Sequence, residues 1–179
     1  GPDATATLHA RQNYFRLLSH NGDFDAARVQ LDEIMARMDP DDPEQLDLRH
    51  DTWDSLANLL VNTGRNEEAL ASALVNLERA EAELGPYHAK TVRALNTIGY
   101  VHALSGDFEP ALEYFRKSAD RARENFRPSD QPYYSARLNV GAALSAMGRD
   151  EEALEASREV FEILSTEFGR RNVSTLRVM

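Results

Sequence analysis

Four glycines, Gly22, Gly64, Gly106 and Gly148, stand 42 residues apart, and each is followed five positions later by an alanine, Ala27, Ala69, Ala111 and Ala153. Glycine makes up roughly 7% of an average chain, so three further hits at one fixed spacing have odds of about 10⁻⁴. A strict period of this length means a tandem array of supersecondary units. The aligned segments are NGDFDAAR (21–28), TGRNEEAL (63–70), SGDFEPAL (105–112) and MGRDEEAL (147–154). Each reads as the end of a helix, a tight turn and the start of another. The glycine supplies the left-handed backbone that a helix C-terminus favours. Asp23, Asn66, Asp107 and Asp150 are suited to cap the helix that follows, and acids such as Glu67, Glu68, Glu151 and Glu152 favour its positive end. Pro110 falls in a first turn, where its missing N–H costs little. Four unrelated surface turns would not keep this register.

Between the glycines the apolar residues recur with helical spacing, as in Trp53, Leu56, Leu59 and Leu60, or Leu112, Phe115 and Ala119. Strand signals are absent. Each unit carries a second break: MDPDDPEQ (38–45), LGPYHAK (84–90), FRPSDQPY (126–133) and FGRRNVS (168–174), punctuated by proline and glycine. The pattern predicts helices over 4–21, 24–38, 44–63, 66–84, 88–105, 108–126, 131–147 and 150–168, with a further start near 173.

The stretch LNTIGYVHALSGDFEPALEYF (95–115) resembles a tetratricopeptide repeat. In that family a bulky residue, a leucine, a small residue and an aromatic lie along the first helix, and an alanine and an aromatic along the second. Leu95, Ile98, Gly99 and His102, then Ala111 and Phe115, take those places. The usual unit is shorter, at about 34 residues. These longer units, and LGPYHAKTVRALNTIG (84–99) above all, are similar to the repeats of kinesin light chains and related bacterial proteins. The resemblance covers almost the whole chain, although the units are uneven. The small position reads Phe15, Ala57, Gly99 and Gly141, and the aromatic position Leu31, Ala73, Phe115 and Ser157. HEAT and armadillo units have comparable lengths, but the fixed Gly-x₄-Ala turn favours the tetratricopeptide resemblance.

The expected fold is therefore all-α: a right-handed superhelical solenoid of antiparallel helix pairs, with four repeats plus the start of a fifth helix pair. Gly1-Pro2 looks like the scar of a removed tag. Residues 3–179 are expected to form a single domain with repeats at about 8–49, 50–91, 92–133 and 134–175. Residues 168–177 copy the spacing of 84–93, so a truncated fifth unit is expected at 176–179, leaving apolar surface at the terminal helices for self-association. Where the two helices of a unit cross, the small residue and the alanine should meet, and a larger side chain would force the helices apart.

In such an array the first helices line a groove. Counting 2, 5, 9, 12 and 13 from the unit starts Leu8, His50, Val92 and Tyr134 keeps to one helical face. That face carries Gln12, Arg16, Asp51, Asp54, Asn58, Arg93, Asn96 and Tyr100, with Asn139 beside it at the sixth position. Asparagine amides both donate to and accept from a peptide backbone. Arg16 and Arg93 suit acidic groups, Asp51 and Asp54 a basic group, and Tyr100 offers a flat amphipathic contact. The competing view of these residues is a set of solvated helix faces. Gln12 and Arg16 occupy the places where a chaperone-type carboxylate clamp would need lysine and asparagine, so chaperone binding is not implied.

The remaining chemistry is excluded one class at a time. The chain has no cysteine, which removes disulfides and thiolate chemistry and fits a cytoplasmic location. No histidine pair has metal-ligand spacing; His102 takes an aromatic core position. No phosphate loop or nucleophile motif is present, so neither enzymatic activity nor a cofactor or metal is expected. Asn172-Val173-Ser174 matches a glycosylation acceptor by chance. The net charge is −10, and the acidic surplus sits in residues 1–84, which would repel nucleic acid. No apolar run reaches the roughly 20 residues of a membrane span. The function expected is a protein–protein interaction module that holds a peptide or protein segment as part of a larger scaffold, adaptor or regulator. The alternatives are a domain sensing a signalling peptide or small molecule, and a structural or dimerising element.

Overall fold

The main chain itself closes each glycine bend. The computed structural model describes residues 2–39, 41–169 and 172. At all four bends the glycine has positive φ, between 73° and 86°. The N–H of the residue after the glycine reaches back over the last turn of the helix: Asp23 to Leu18 O, Arg65 to Leu60 O, Asp107 to His102 O and Arg149 to Leu144 O, at 2.8–3.0 Å. The glycine N–H bonds Ser19 O, Val61 O, Ala103 O and Ser145 O in turn. This is the Schellman arrangement, which needs only one residue without a side chain. The residue after the glycine also begins the next helix, because its carbonyl accepts from Ala27, Ala69, Ala111 or Ala153. That shared residue fixes the spacing of glycine and alanine.

The described residues form eight α-helices: α1 (Pro2–His20), α2 (Phe24–Arg37), α3 (Leu46–Asn62), α4 (Asn66–Leu84), α5 (Ala89–Ser105), α6 (Phe108–Asn125), α7 (Gln131–Ala146) and α8 (Asp150–Phe168). No strand occurs among the described residues. These match the eight predicted helices to within about two residues at each end. One boundary has a specific cause. Before α3, Pro43–Gln45 form a 3₁₀ turn in which Gln45 accepts from Asp39 N and donates to Asp42 Oδ2, so the α-helix begins only at Leu46. The predicted start near 173, the fifth unit at 176–179 and the Asn172-Val173-Ser174 motif fall on residues of which all but Asn172 lie outside the described ones.

The capping expectation holds in part. Asp23 accepts from Ala26 N at 3.3 Å. Asp107 occupies the cap position without such a bond. At the other two bends an arginine stands there, and Asn66 and Asp150 are already helical. Arg65 grips Glu68 with two bonds of 2.5–2.7 Å, and Arg149 grips Glu152 with two of 2.7 Å. Both glutamates are held below the usual carboxylate range, chiefly by the arginine hydrogen bond. The bends thus alternate, Asp-Phe in repeats one and three and Arg with paired glutamates in two and four, giving a second period twice as long as the glycine spacing.

The chain divides into two compact units, residues 1–78 and 79–179, with the division inside α4. In the first unit α1 packs on α2 and α2 on α3, with Leu8, Ile34 and Leu48 buried together. In the second, α5 to α8 pack in sequence and α5 also meets α7. Its core joins Ala111, Leu112 and Phe115 of α6 to Val140, Ala143 and Leu144 of α7 and Ala153 of α8. A second cluster holds Val92, Ala122 and Tyr133. Thr91, fully buried, donates to Gly85 O at 2.7 Å and Ala80 O at 3.2 Å, pinning the start of α5 to the end of α4.

The crossing in repeat three differs from the expected small–alanine contact, whereas in repeat four the Ala153 carbonyl stands beside Gly141 as expected. A Cβ added to Gly99 would lie 2.6 Å from the Phe115 ring, so the aromatic, not Ala111, covers that glycine. At Gly141 the nearest atoms are Ala153 O and Ser157 Oγ, both at 3.4 Å. One position is unlike its equivalents. Where repeat one buries Leu8 against Ile34, repeat two buries His50 and Asn76. His50 Nδ1 and Asn76 Oδ1 are 2.9 Å apart, and Asn76 Nδ2 donates to Asp54 Oδ1 at 2.8 Å. An amide oxygen only accepts, so the histidine carries its proton on Nδ1.

Candidate functional site

The predicted groove residues divide by their place in the repeat. At the fifth position, Gln12 is buried at 6% exposure and donates to Ser55 Oγ at 2.8 Å and Asp51 O at 3.5 Å, tying α1 to α3. Its equivalent two repeats on, Asn96, accepts from Asn139 Nδ2 at 3.2 Å, tying α5 to α7. These two bonds link the fifth position of one repeat to the sixth of the next. Asp54, also at the fifth position, is 5% exposed and bound to Asn76 of α4. Gln12 and Asp54 are therefore packed groups in the first unit, and a ligand would have to displace existing hydrogen bonds to reach them.

The second and ninth positions are more open. Arg93 and Tyr100 are exposed on α5, and Arg16 is exposed on α1. Arg16 has no ion-pair or hydrogen-bond partner among the described residues. Asp51 is half-buried, and Asn58 is half-buried with its Nδ2 given to Asp54 O at 2.9 Å. His102, expected in the core, is half-buried at the edge: its ring stacks on Tyr114 at 5.7 Å, and Nδ1 lies 3.7 Å from Asp107 Oδ2.

In the second unit the open residues converge. A pocket of about 210 Å³ between the N-terminal turns of α5 and α7 is lined by Ala89, Lys90, Val92, Arg93 and Asn96 of α5 and by Gln131, Pro132 and Ser135 of α7. Proline at the first turn of α7 leaves the helix intact. Gln131 and Ser135 are held one turn apart by a bond of 2.8 Å. Two cationic side chains, two amides and a hydroxyl thus share one pocket with the apolar Ala89, Val92 and Pro132. The Asn96–Asn139 bond uses one oxygen and one N–H, leaving Asn96 Nδ2 and Asn139 Oδ1 as a donor and an acceptor. Lys90 and Gln131 were not singled out from the sequence, whereas Ser135 takes the second position of the counted face. The first two lie one turn before residues that were, and only the approach of α7 to α5 brings them together.

The second unit is fastened behind this face. Tyr133 donates to Glu159 Oε1 at 3.1 Å, and Arg137 Nη2 pairs with the same carboxylate. Burial and the adjacent Glu159 charge raise the Tyr133 phenol above its usual range. No described helix is long and apolar enough to cross a membrane, and no cluster of three metal-ligating His, Asp or Glu side chains occurs among the described residues.

Comparison with known proteins bears on the fold. Tetratricopeptide-repeat family models match residues 48–124 and 135–172, together more than half of the chain. No curated protein sequence matches. Among solved structures, a putative kinesin light chain from Podosopora anserina with nearly identical TPR-like repeats aligns at 17% identity, covering 96% of this chain and 81% of that one, with a TM-score of 0.75. BtubC (BKLC) from P. vanneervenii aligns at 16% identity over 98% of this chain and 72% of that one, with a TM-score of 0.76. A MamA double mutant from RS-1 aligns at 14% identity over 90% and 77%, with a TM-score of 0.58. At these identities the likeness is one of fold.

Proposed function

The chain belongs to the tetratricopeptide-repeat family, whose arrays mediate protein–protein interaction, and from that premise we propose that it holds a segment of a partner protein against α5 and α7. The observation that carries this reading is the polar pocket walled by Arg93, Asn96, Gln131 and Ser135. An extended segment laid there would exchange backbone hydrogen bonds with Asn96 Nδ2 and Asn139 Oδ1, while Lys90 and Arg93 favour an acidic side chain nearby. Tyr100 prolongs the contact along α5, and Arg16 offers a separate cation on α1. The polar residues of the first unit fit a structural role better, since Gln12 and Asp54 already satisfy neighbouring helices. A catalytic role has no support in this set, which offers a binding surface without a nucleophile and base in contact.

Peptides selected from a random display library on the wild-type protein test the proposal. Acidic segments should dominate the selection. Arg93→Glu should weaken their binding at least about tenfold, the effect of losing one charge-assisted contact of roughly 1.5–3 kcal/mol. Its melting temperature should stay at the wild-type value because Arg93 is exposed. Equal affinity in the variant would refute the site.

A further inference from the structure

At one place in the first unit the repeat register is broken twice. Arg28 stands where repeat three has Leu112, and Thr63 stands where repeat four has Met147. At the junction of repeats three and four, Leu112 is buried with Ala143 and Leu144, and Met147 packs against that cluster. At the junction of repeats one and two the equivalents Leu59 and Leu60 are likewise buried, but the leucine and the methionine are missing. A pocket of about 230 Å³ lies there, lined by Phe24, Leu59, Leu60 and Thr63 together with Asp25, Arg28 and Arg65. Its walls come from α2, α3 and the bend after α3, all within residues 1–78. Interior junctions are close-packed, and this one is left short of two apolar side chains.

The polar groups that line the pocket are not equivalent. Arg28 Nε reaches both oxygens of Asp32, at 2.8 and 3.0 Å, and Arg65 holds Glu68 through Nε and Nη2. Each guanidinium is thus neutralised by a neighbour. Thr63 gives its hydroxyl proton to Leu59 O and Leu60 O on its own helix. Asp25 is exposed, and its carboxylate has no ion-pair or hydrogen-bond partner among the described residues, so the uncompensated charge is negative. The surroundings have the same sign: residues 1–78 hold 15 acids and 6 bases, whereas residues 79–179 hold 15 and 14. We propose that this pocket receives a leucine- or methionine-type side chain from a basic partner segment, with a lysine or arginine beside it pairing with Asp25. The partner's apolar group supplies from outside what Leu112 and Met147 supply from within the chain two repeats on. The site takes the opposite charge from the α5–α7 pocket and does not depend on it.

NMR titration of the isotope-labelled protein with three synthetic peptides tests this. The peptides share glycine-serine flanks and differ at the centre: Lys-Leu-Lys, Lys-Ser-Lys or Glu-Leu-Glu. The first should move the amide resonances of Phe24, Leu59, Leu60 and Thr63 in a saturable way, and the other two should bind at least about fivefold more weakly, having lost the buried apolar group or the matching charge. Thr63→Met fills the pocket from within, as Met147 does in repeat four; it should melt at or above the wild-type temperature yet lose the Lys-Leu-Lys peptide. Asp25→Asn should weaken that peptide about threefold, the size of one exposed ion pair. No saturable movement at these amides overturns the proposal. So does binding of the serine peptide equal to that of the leucine peptide, which would leave only charge attraction, and so does a preference for the acidic peptide. Wild-type affinity in Thr63→Met or in Asp25→Asn overturns it as well.

Discussion

Gly99 has no room for one more carbon. The Phe115 ring that a Cβ would meet at 2.6 Å is itself buried in the core, so it cannot swing aside without opening a void. Gly99→Ala should therefore cost about 1–3 kcal/mol by overpacking, whereas Gly141→Ala, whose nearest neighbours stand at 3.4 Å, should change stability by less than about 1 kcal/mol. Thermal melts of the two variants check this, and equal losses would contradict the packing. The need for a small residue at these places was legible in the sequence. What covers it was not, because periodicity shows which face a side chain occupies but not how far a neighbouring helix is rotated. His50, Asn76 and Asp54 make the same point. Nothing in their spacing distinguishes a buried hydrogen-bonded chain from one core residue, one outer residue and one groove residue.

Helices meet along lines that a single helix cannot reveal. The groove stripe was read from the face of each first helix alone. Its second and ninth positions do contribute open side chains, yet the fifth lies where consecutive first helices touch, so Gln12 and Asn96 bond to the next repeat. Arg28 shows the converse, a polar residue where the junction expects a leucine. Its equivalents are Leu70, Leu112 and Leu154. Arg28 pairs with Asp32 at 2.8 Å and, with Asp25 and Arg65, borders a pocket of about 230 Å³ whose other walls are Phe24, Leu59, Leu60 and Thr63. The exposed ion pair contributes little, while burying a leucine there is worth about 1.5–3 kcal/mol. Arg28→Leu should raise the melting temperature by several degrees. An unchanged or lower value would mean that the pocket is too open to exclude water.

Over the whole molecule, pH should act from both sides. Glu68, Glu113, Asp130 and Glu152 all titrate below their usual range, each chiefly because an arginine or lysine hydrogen-bonds its carboxylate. Groups shifted this way stabilise the fold above the ordinary carboxylate range and lose that contribution as pH falls through their lowered values. Tyr133 is shifted upward, so its contribution persists at neutral pH and is lost as pH rises past about 10, where the unfolded phenol ionises. Melting temperature against pH should therefore form a plateau that drops below about pH 4 and again above about pH 10; a peak at the isoelectric point near 5.0 would contradict it. At this scale the sequence showed the all-α repeat architecture, since equal spacing of glycines needs no knowledge of contacts. It gave no hint of a division inside α4, because equal repeats do not imply equal packing. The alternation of bends has a practical consequence for anyone who would lengthen or shorten the chain. Grafting in or excising two whole repeats keeps the acidic and arginine bends in turn, whereas removing a single interior repeat sets two of one kind in succession. The natural module for building with this protein is a pair of hairpins.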